Sequence, residues 1–231
     1  MATLPPDSQL QKRYAIIVAG GSGLRIGGAI PKQFQLFHGK PLLWYAIQAF
    51  AKAGADIEIM LVLPSAHFSF WEDLRAKYSF PPLQLVVGGS SRSQSVSNAL
   101  AVVPATALVA IHDAVRPYIT LSLINASYAA AAASGACVLA VPSKDSIRYR
   151  HPDGTSQPLQ RANVMLIQTP QTFLAGLLQD AYKLAALDGS FTDDATVAEA
   201  AGHKIAIVPG DYANIKITTP EDLLLPAPTI L

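Results

Sequence analysis

The stretch YAIIVAGGSGLRIG occupies residues 14–27, and Pro31-Lys32-Gln33 follows it closely. Residues 14–19 are apolar almost throughout, which predicts a strand buried on both faces of a sheet. The glycines after that strand lack a Cβ, so backbone N–H groups there can converge on a phosphate chain. The stretch therefore predicts a buried strand that ends in an anion-binding turn.

The glycine spacing distinguishes between kinds of nucleotide-binding turn. The dinucleotide fingerprint G-x-G-x-x-G needs its third glycine at position 26, which is Ile26. A P-loop is excluded as well, because no Gly-Lys-Ser/Thr follows Gly21 and Gly23. Two cations in the same stretch, Arg25 and Lys32, suit a triphosphate better than a pyrophosphate bridge. Without those cations, a tight exit from a strand would be an equally good interpretation.

The rest of the chain alternates short apolar runs with helical patterns. The predicted strands are 14–19, 57–63, 83–87, 108–112, 136–141, 204–208 and 214–217, and the predicted helices begin near Pro41, Ser65, Ser91, Thr120 and Thr219. This alternation is typical of an α/β fold with a mainly parallel, Rossmann-like sheet and helices on both faces. Right-handed crossovers then bring the turns after the strands to one edge, where open α/β sheets bind ligands.

Composition narrows the class of protein. Of 231 residues, 51% are hydrophobic and 14% charged, and 17 Lys+Arg against 16 Asp+Glu give a net charge of +1. These values exclude a disordered chain and argue against bulk attraction to nucleic acid or membrane. Cys137 is the single cysteine, so no internal disulfide or multi-cysteine zinc site is expected. With no apolar run of ~20 residues and no secretory signal, we expect one cytoplasmic domain over 1–231.

One polar stretch, 142–163, interrupts the alternation. Asp153-Gly154 is a turn signal between two short extended pieces, which predicts a β-hairpin arm projecting from the sheet. A solvated surface loop is an equally good interpretation from its length alone. A projecting hairpin cannot bury its own face, so the arm favours dimerisation with a second copy of the chain.

Two further motifs follow predicted strands. Asp113, in the HDAVRP motif at 112–117, stands at the end of a buried strand, where a carboxylate can hold Mg²⁺ or accept sugar hydroxyl groups. A carboxylate that caps the next loop is the common alternative, and His112 is interpreted as structural. The motif GGSSRSQS at 88–95 puts small polar groups at a turn that could contact a base. A well-capped helix start explains it equally well.

Four isolated residues complete the candidates, and each has an ordinary structural alternative. Arg161 ends the arm, Thr169-Pro170-Gln171 follows a strand, and Thr192 opens Thr192-Asp193-Asp194 at a helix start. Lys216 interrupts an apolar run, where it costs desolvation unless it meets an anion or alternates onto a solvent face. Taken singly, each of the four is better explained structurally.

Taken together, these motifs resemble a known family. The glycine turn with PKQ, then GGxxRxxSV, HDAxRP, TPQ, TD(D/E)A and NIKxT, occur in one order over about residues 14–225. That set resembles the 2-C-methyl-D-erythritol 4-phosphate cytidylyltransferases, which have the nucleotidyltransferase type of fold. The first motif is shared by nucleotidyltransferases in general. HDAxRP and NIKxT narrow the resemblance to this family and to the related ribitol-5-phosphate cytidylyltransferases, whose acceptor is the alternative.

The resemblance implies transfer of a cytidylyl group from CTP to 2-C-methyl-D-erythritol 4-phosphate, with Mg²⁺ as cofactor and pyrophosphate as second product. It implies that Arg25 and Lys32 stabilise charge at the α-phosphate. Arg161 and Lys216, assisted by Thr192, would position the acceptor phosphate. The implied nucleotide- and substrate-binding positions are Val18, Ala19, Gly20, Gly21, Gly23, Gly89, Ser95, Asp113, Ala114, Arg116 and Thr169. Asp113 would face the acceptor hydroxyls or the metal, and the arm would form a homodimer.

Two departures from the family pattern stand out. Ala213 precedes NIKxT where many relatives have Asp, although Asp211 lies two positions earlier. Ser146 replaces a common Thr but keeps the hydroxyl.

Two other classes of protein compete with the cytidylyltransferase interpretation. A nucleotide-dependent oxidoreductase is disfavoured by Ile26, and a non-enzymatic nucleotide-binding regulator is disfavoured because all four implied catalytic cations are present.

Overall fold

The computed structural model describes residues 11–21, 30–185 and 191–228. Within them the strands are β1 Arg13–Val18, β2 Leu36–Phe37, β3 Lys40–Pro41, β4 Ile57–Leu63, β5 Gln84–Val87, β6 Leu108–Asp113, β7 Ala136–Pro142, β8 Arg148–Arg150, β9 Ser156–Pro158, β10 Met165–Leu174 and β11 Ala206–Pro209. The helices are α1 Leu42–Ala53, α2 Phe68–Lys77, α3 Arg92–Leu100, α4 Leu121–Ser134, α5 Ala175–Leu184 and α6 Asp194–Ala200. None of these helices has both the length and the apolarity needed to cross a bilayer.

Seven strands form the central sheet, in the order β11-β7-β10-β6-β1-β4-β5. Every neighbouring pair is parallel except the two made by β10, which runs antiparallel to β6 and to β7. The predicted mainly parallel α/β sheet is therefore confirmed. Two short hairpins, β2–β3 and β8–β9, lie outside this sheet.

A hydrophobic core lies on each face of the sheet, because successive side chains of a strand point to opposite faces. On β1, Ala15 and Ile17 pack with α1, α2 and α4, whereas Tyr14 and Ile16 pack with α3, α5 and α6. Both faces of the central strands are thus covered, which explains why their sequences are apolar without alternation.

The strand β10 extends further than the sequence predicted, because Thr169-Pro170-Gln171 was expected to follow a strand and instead lies inside it. Its sequence MLIQTPQTFL contains Pro170 and a polar centre, features that count against a central strand. The β10–β7 register shifts between Gln168 and Gln171, so Thr169 and Pro170 fall where the ladder with β7 is irregular. This irregularity lets a proline lie within the sheet.

The predicted strand at 214–217 is wrong. That segment is irregular and crosses the loop after β6, where the Ile217 N–H donates to the Val115 carbonyl at 2.9 Å. Its apolar residues pack in a small third cluster with Phe37 and Leu42, outside the sheet.

Two helix starts also differ from the prediction. Ser65 begins a 3₁₀ turn without a side-chain cap, and a 3₁₀ turn at Glu221–Leu224 replaces a helix after Thr219.

The projecting arm has the predicted hairpin structure. β8 and β9 pair antiparallel, with Arg148 opposite Pro158, and Gly154 in the turn adopts a φ of 88° that favours glycine. All residues of the two strands are exposed in the single chain. The arm begins where β7 ends, and the chain returns to the central sheet at β10 shortly after the arm.

Candidate active site

A cleft of about 500 Å³ opens where β1, β5 and β6 end, at the carboxyl edge of the sheet. The residues that line it are Val18, Ala19, Gly20, Gly21, Lys32, Gln33, Gly89, Ser90, Ser91, Arg92, Ser95, Asp113, Val115 and Lys216. They come from the ends of β1 and β6 and the residues just after them, from the 88–95 turn with the start of α3, from a 3₁₀ turn at Lys32–Phe34, and from the segment before the C-terminal 3₁₀ turn. This is the edge at which open parallel sheets bind ligands.

The first wall of the cleft is the glycine turn after β1. The Ala19 N–H donates to the Val62 carbonyl at 2.9 Å, which extends the β1–β4 pairing by one residue. Buried Gln33 donates from Nε2 to the Ala19 carbonyl at 2.7 Å, and so ties the PKQ motif to the strand end. Beside it, Lys32 donates from Nζ to the Ile217 carbonyl at 2.6 Å. The predicted Arg25 and Gly23 lie outside the described residues.

The second wall is the turn between β5 and α3. Gly88 N–H donates to the Leu63 carbonyl at 2.8 Å, and Gly89 N–H donates to Ser95 Oγ at 3.0 Å. Ser95 in turn donates its hydroxyl to the Ser91 carbonyl at 2.8 Å. A Cβ at Gly89 would overlap the side chain of Gln94, so the close approach of turn and helix requires glycine here. The Ser95 hydroxyl therefore holds the shape of the turn.

Asp113, at the end of β6, is surrounded by three cations. Lys216 Nζ lies 3.1 Å and Arg116 Nε 3.4 Å from Oδ2, and Arg92 Nε lies 3.9 Å from Oδ1. Burial opposes ionisation of this carboxyl, but the three cations outweigh burial and hold its pKa well below the usual range. Asp113 is therefore ionised at neutral pH and gathers three positive groups at the edge of the sheet.

Behind this cluster, Arg92 reaches a second carboxylate. Its Nη2 lies 2.8 Å from Oδ2 of Asp194, the first residue of α6, which is completely buried. Burial alone would lower the pKa of Arg92, but the two carboxylates more than offset it, and the pKa lies above its ordinary value. The guanidinium thus joins the 88–95 turn to the start of α6.

His112 and Thr169 lie under the floor of the cleft. Thr169 Oγ1 accepts the Asp113 N–H at 3.1 Å and lies 3.0 Å from His112 Nδ1. His112 is fully buried against the Phe50 ring, and burial lowers its pKa to about 4. The imidazole is therefore neutral at pH 7, in agreement with the structural interpretation of this histidine.

Hydrogen bonds to the sheet fix the segment that carries Lys216. Arg116 Nη1 donates to the Asn214 carbonyl at 2.7 Å, and Asn214 Nδ2 donates to the Thr169 carbonyl at 2.9 Å. Asp211 accepts the Ala213 N–H at 2.8 Å through its carboxylate, which closes the turn before the motif. Asp211 thus shapes this turn, and the Lys216 ammonium has Asp113 as its carboxylate partner among the described residues.

Comparison with known proteins gives this arrangement a family. A sequence model described as 2-C-methyl-D-erythritol 4-phosphate cytidylyltransferase matches residues 14–231. The chain belongs to this cytidylyltransferase family. Enzymes with that description from Porphyromonas gingivalis and Phocaeicola vulgatus are 44% identical over 217 residues and 42% identical over 212 residues. The alignments cover 93% and 91% of this chain, and 96% of each relative.

Solved structures give the same assignment of the fold. The 2-C-methyl-D-erythritol 4-phosphate cytidylyltransferase of Francisella tularensis superposes with a TM-score of 0.79 at 30% identity, covering 93% of this chain and 97% of that one. The 4-diphosphocytidyl-2C-methyl-D-erythritol synthase of Anaerococcus prevotii gives a TM-score of 0.77 at 31% identity, covering 93% and 95%. The nucleotidyltransferase type of fold predicted from the sequence is confirmed.

The structure brings most of the predicted cytidylyltransferase residues to one cleft and leaves others apart. The predicted residues in its lining are Val18, Ala19, Gly20, Gly21, Lys32, Gly89, Ser95, Asp113 and Lys216. Ala114, Arg116 and Thr169 are buried next to Asp113 or in its hydrogen-bond network, and outside the lining. Arg161 and Thr192 are exposed and also outside the lining, and Arg161 donates to the Lys144 carbonyl at 3.0 Å.

Sequence reasoning did not select Gln33 and Arg92, although both line the cleft. Gln33 belongs to the PKQ motif and Arg92 to the GGxxRxxSV motif, and their membership of these motifs was the available signal. The buried Asp194 likewise stands inside TD(D/E)A and was interpreted only as part of a helix start.

The described residues do not fit a metal held by protein ligands. The two oxygens of Asp113 already face Lys216, Arg116 and Arg92, so a divalent cation would have to displace a positive charge from the carboxylate. In the parts of the chain the structure describes, no group of three or more His, Cys, Asp or Glu could hold a metal ion. Asp113 is placed as a counter-ion rather than as a metal ligand.

Proposed function

We propose that this chain transfers the cytidylyl group of CTP to 2-C-methyl-D-erythritol 4-phosphate, giving 4-diphosphocytidyl-2-C-methyl-D-erythritol and pyrophosphate. Membership of the cytidylyltransferase family over residues 14–231 is the observation that carries this proposal. The cleft supports it, because a glycine turn and two lysines meet at the ligand-binding edge of the sheet.

The reaction needs charge neutralisation more than acid–base chemistry. A phosphate oxygen of the acceptor, already ionised at pH 7, attacks the α-phosphorus of CTP, and the bond from that phosphorus to the oxygen of the leaving pyrophosphate breaks. No proton has to leave the nucleophile, so no general base is required. Such transfers depend on positioning and on electrostatic stabilisation of the phosphoryl oxygens.

The roles we propose for individual residues follow from this chemistry. Arg25 and Lys32 stabilise the negative charge that develops at the α-phosphate. Arg161 and Lys216, with Thr192, hold the acceptor phosphate. The cytosine and ribose lie against the β1 end and the 88–95 turn, where Gly89 and Ser95 line the cleft. Small residues there leave room for a planar base.

In this proposal, acceptor binding changes the ion-pair partner of Lys216. Lys216 Nζ is paired with Asp113 at 3.1 Å, and its side chain is 42% exposed at the mouth of the cleft. An entering phosphate competes with Asp113 for this ammonium. Arg116 and Arg92 remain near the carboxylate, so Asp113 does not become an unpaired buried charge when Lys216 turns to the substrate.

We also propose that the chain forms a homodimer through the arm at 142–163. Tyr149 is 49% and Leu159 40% exposed on the arm, and Leu166 and Ile167 on β10 are 46% and 41% exposed. These exposed apolar side chains stand on the arm and on the strand that follows it, and exposed apolar surface of this kind is typical of protein interfaces. Across a two-fold axis each arm could bring its Arg161 to the partner's cleft.

Mg²⁺ and a cytoplasmic location complete the proposal. Mg²⁺ is commonly bound through substrate phosphates and water with few protein ligands, and the triphosphate of CTP offers such oxygens. A cytoplasmic location follows from the supply of CTP.

The test is a pyrophosphate-release assay with the purified protein, Mg²⁺ and CTP. The assay uses 2-C-methyl-D-erythritol 4-phosphate in one arm and ribitol 5-phosphate in the other, with ATP, GTP and UTP as controls. Turnover with CTP and the first acceptor at a kcat/KM at least a hundredfold above every other combination supports the proposal. A preference for ribitol 5-phosphate, or CTP binding without pyrophosphate release, would overturn it.

A further inference from the structure

A buried carboxylate lies one layer behind the cleft. Asp194 has no exposed surface, yet its Oδ2 lies 2.8 Å from Arg92 Nη2 and its Oδ1 accepts the Tyr182 hydroxyl at 2.7 Å. Its backbone N–H, like that of Ala195, donates to Gln171 Oε1, at 3.0 and 2.9 Å. Gln171 belongs to β10, so Asp194 is fixed to the sheet by its backbone and to α5 by its side chain.

Such an ion pair is difficult to explain by stability alone. Burying a carboxylate and a guanidinium carries a desolvation cost that the attraction between them often fails to exceed. The asymmetry of the pair points to another role. Asp194 is wholly buried, whereas 29% of the Arg92 side chain is exposed and the residue lines the cleft. The buried partner is fixed, and the exposed partner faces the space where a ligand enters.

Arg92 has two acidic partners on different elements. Its Nη2 meets Asp194 at 2.8 Å, and its Nε lies 3.9 Å from Asp113. A long, flexible side chain with Asp113 as its sole acidic partner would close on that carboxylate, whose other oxygen is already shared by Lys216 and Arg116. Asp194 keeps the guanidinium from closing further on Asp113 and holds it in the wall formed by the 88–95 turn.

We infer that Asp194 is a positioning residue for the nucleotide, which acts by fixing the guanidinium of Arg92 in the wall of the cleft. The ligand class is a nucleoside triphosphate, so the inference rests on the proposed function and deepens it. Arg92 and the 88–95 turn lie on the side proposed for cytosine and ribose. Loss of the Asp194 charge therefore weakens CTP more than the acceptor.

The experiment compares Asp194→Asn, Asp194→Glu and Tyr182→Phe in steady-state assays with both substrates, alongside thermal unfolding. Asp194→Asn is expected to raise the KM for CTP about tenfold, or ~1.4 kcal/mol, with the acceptor KM changed less than twofold. Asp194→Glu, which keeps the charge, should recover CTP binding to within about threefold. Tyr182→Phe removes the donor to the other oxygen but keeps the Asp194 charge, so it should lower the Tm and raise the KM for CTP by no more than about threefold.

A double-mutant cycle separates positioning from general destabilisation. If Asp194 acts through Arg92, Asp194→Asn should add less than twofold to the KM of Arg92→Met. Should Asp194→Asn not fold, Arg92→Lys retains the charge but not the planar fork, and it should raise the KM for CTP by about tenfold. Additive effects in the cycle would overturn the inference. So would a KM for CTP within twofold of the unaltered protein in Asp194→Asn, or in Arg92→Lys if Asp194→Asn does not fold. Absence of turnover with CTP in the unaltered protein would instead overturn the proposed function.

Discussion

Replacing Asp113 by Asn removes one negative charge from a cluster that holds three positive ones. The side chains of Asp113 and Arg116 are each only 11% exposed, so water screens this pair weakly. Arg116 keeps a hydrogen bond to the Asn214 carbonyl and Arg92 keeps Asp194, but Lys216 loses its carboxylate partner. Breaking a buried pair by removing one partner costs about 3–5 kcal/mol. Because both arginines keep an acceptor, we expect the lower value, ~3 kcal/mol.

Chemical and thermal unfolding of both proteins between pH 3 and pH 8 measure this difference. For a chain of this size, ~3 kcal/mol corresponds to a fall in Tm of roughly 6–12 °C. The folded-state pKa of Asp113 is depressed, so its contribution is complete above the unfolded pKa of ~3.9 and is lost as pH falls through the folded pKa. The difference between the proteins should be constant from pH 5 to pH 8 and shrink only below about pH 4.

Two results would refute this reasoning. A loss of less than about 0.5 kcal/mol at pH 7, the range of ordinary surface substitutions, would mean that Asp113 is not the centre of the cluster. A difference that fades between pH 6 and pH 8 would mean that another group, with a pKa near neutrality, controls the cluster. Asp113→Ala is the matched variant, because it removes both the charge and the polar side-chain group that Asn still offers for hydrogen bonds.

Three further predictions concern the proposed catalytic cations. Lys32→Ala is expected to lower kcat by about 10²–10³-fold while the Kd for CTP rises less than tenfold, as for a group that acts mainly on transition-state charge; single-turnover kinetics and equilibrium CTP binding measure the two. Lys216→Ala should raise the acceptor KM and leave CTP binding within threefold, and the opposite pattern in initial-rate assays contradicts its assignment. Mixing Arg161→Ala with Arg25→Ala should restore activity if Arg161 serves the partner's cleft, because one site in each mixed dimer is then intact; no recovery after confirmed subunit exchange rejects the crossing arm.

Much of the sheet could be predicted from the sequence because its parallel strands are buried on both faces. The apolar runs at 57–63 and 108–112 agree with the observed strands Ile57–Leu63 and Leu108–Asp113. The full extent of β10 escaped prediction because Pro170 and its polar neighbours occupy its middle. The error at 214–217 has the opposite cause, since Ile215 and Ile217 are apolar but pack in the third hydrophobic cluster, outside the sheet.

The candidate site likewise has parts that could be predicted from the sequence and parts that could not. Turns that follow strands were predictable, because their positions on the sheet edge follow from topology. The pairing of Arg92 with Asp194 was not, because the two residues are 102 positions apart in the chain and are brought together only by the packing of α3, α5 and α6. Arg161 is exposed and outside the cleft lining in the single chain, so its proposed role at a partner's cleft stays a prediction.

The reversed direction of β10 determines where the arm is inserted. Pro142 at the end of β7 pairs with Met165 at the start of β10, so the chain leaves and re-enters the sheet at adjacent points on the ligand-binding edge. A parallel strand in that place would have begun at the far edge and required a crossover. The arm is thus an insertion between neighbouring anchor points, and its length can change without disturbing the strand order. The surface that a second copy of the chain would meet can therefore be remodelled while the ends of β1, β5 and β6, which form the cleft, keep their geometry.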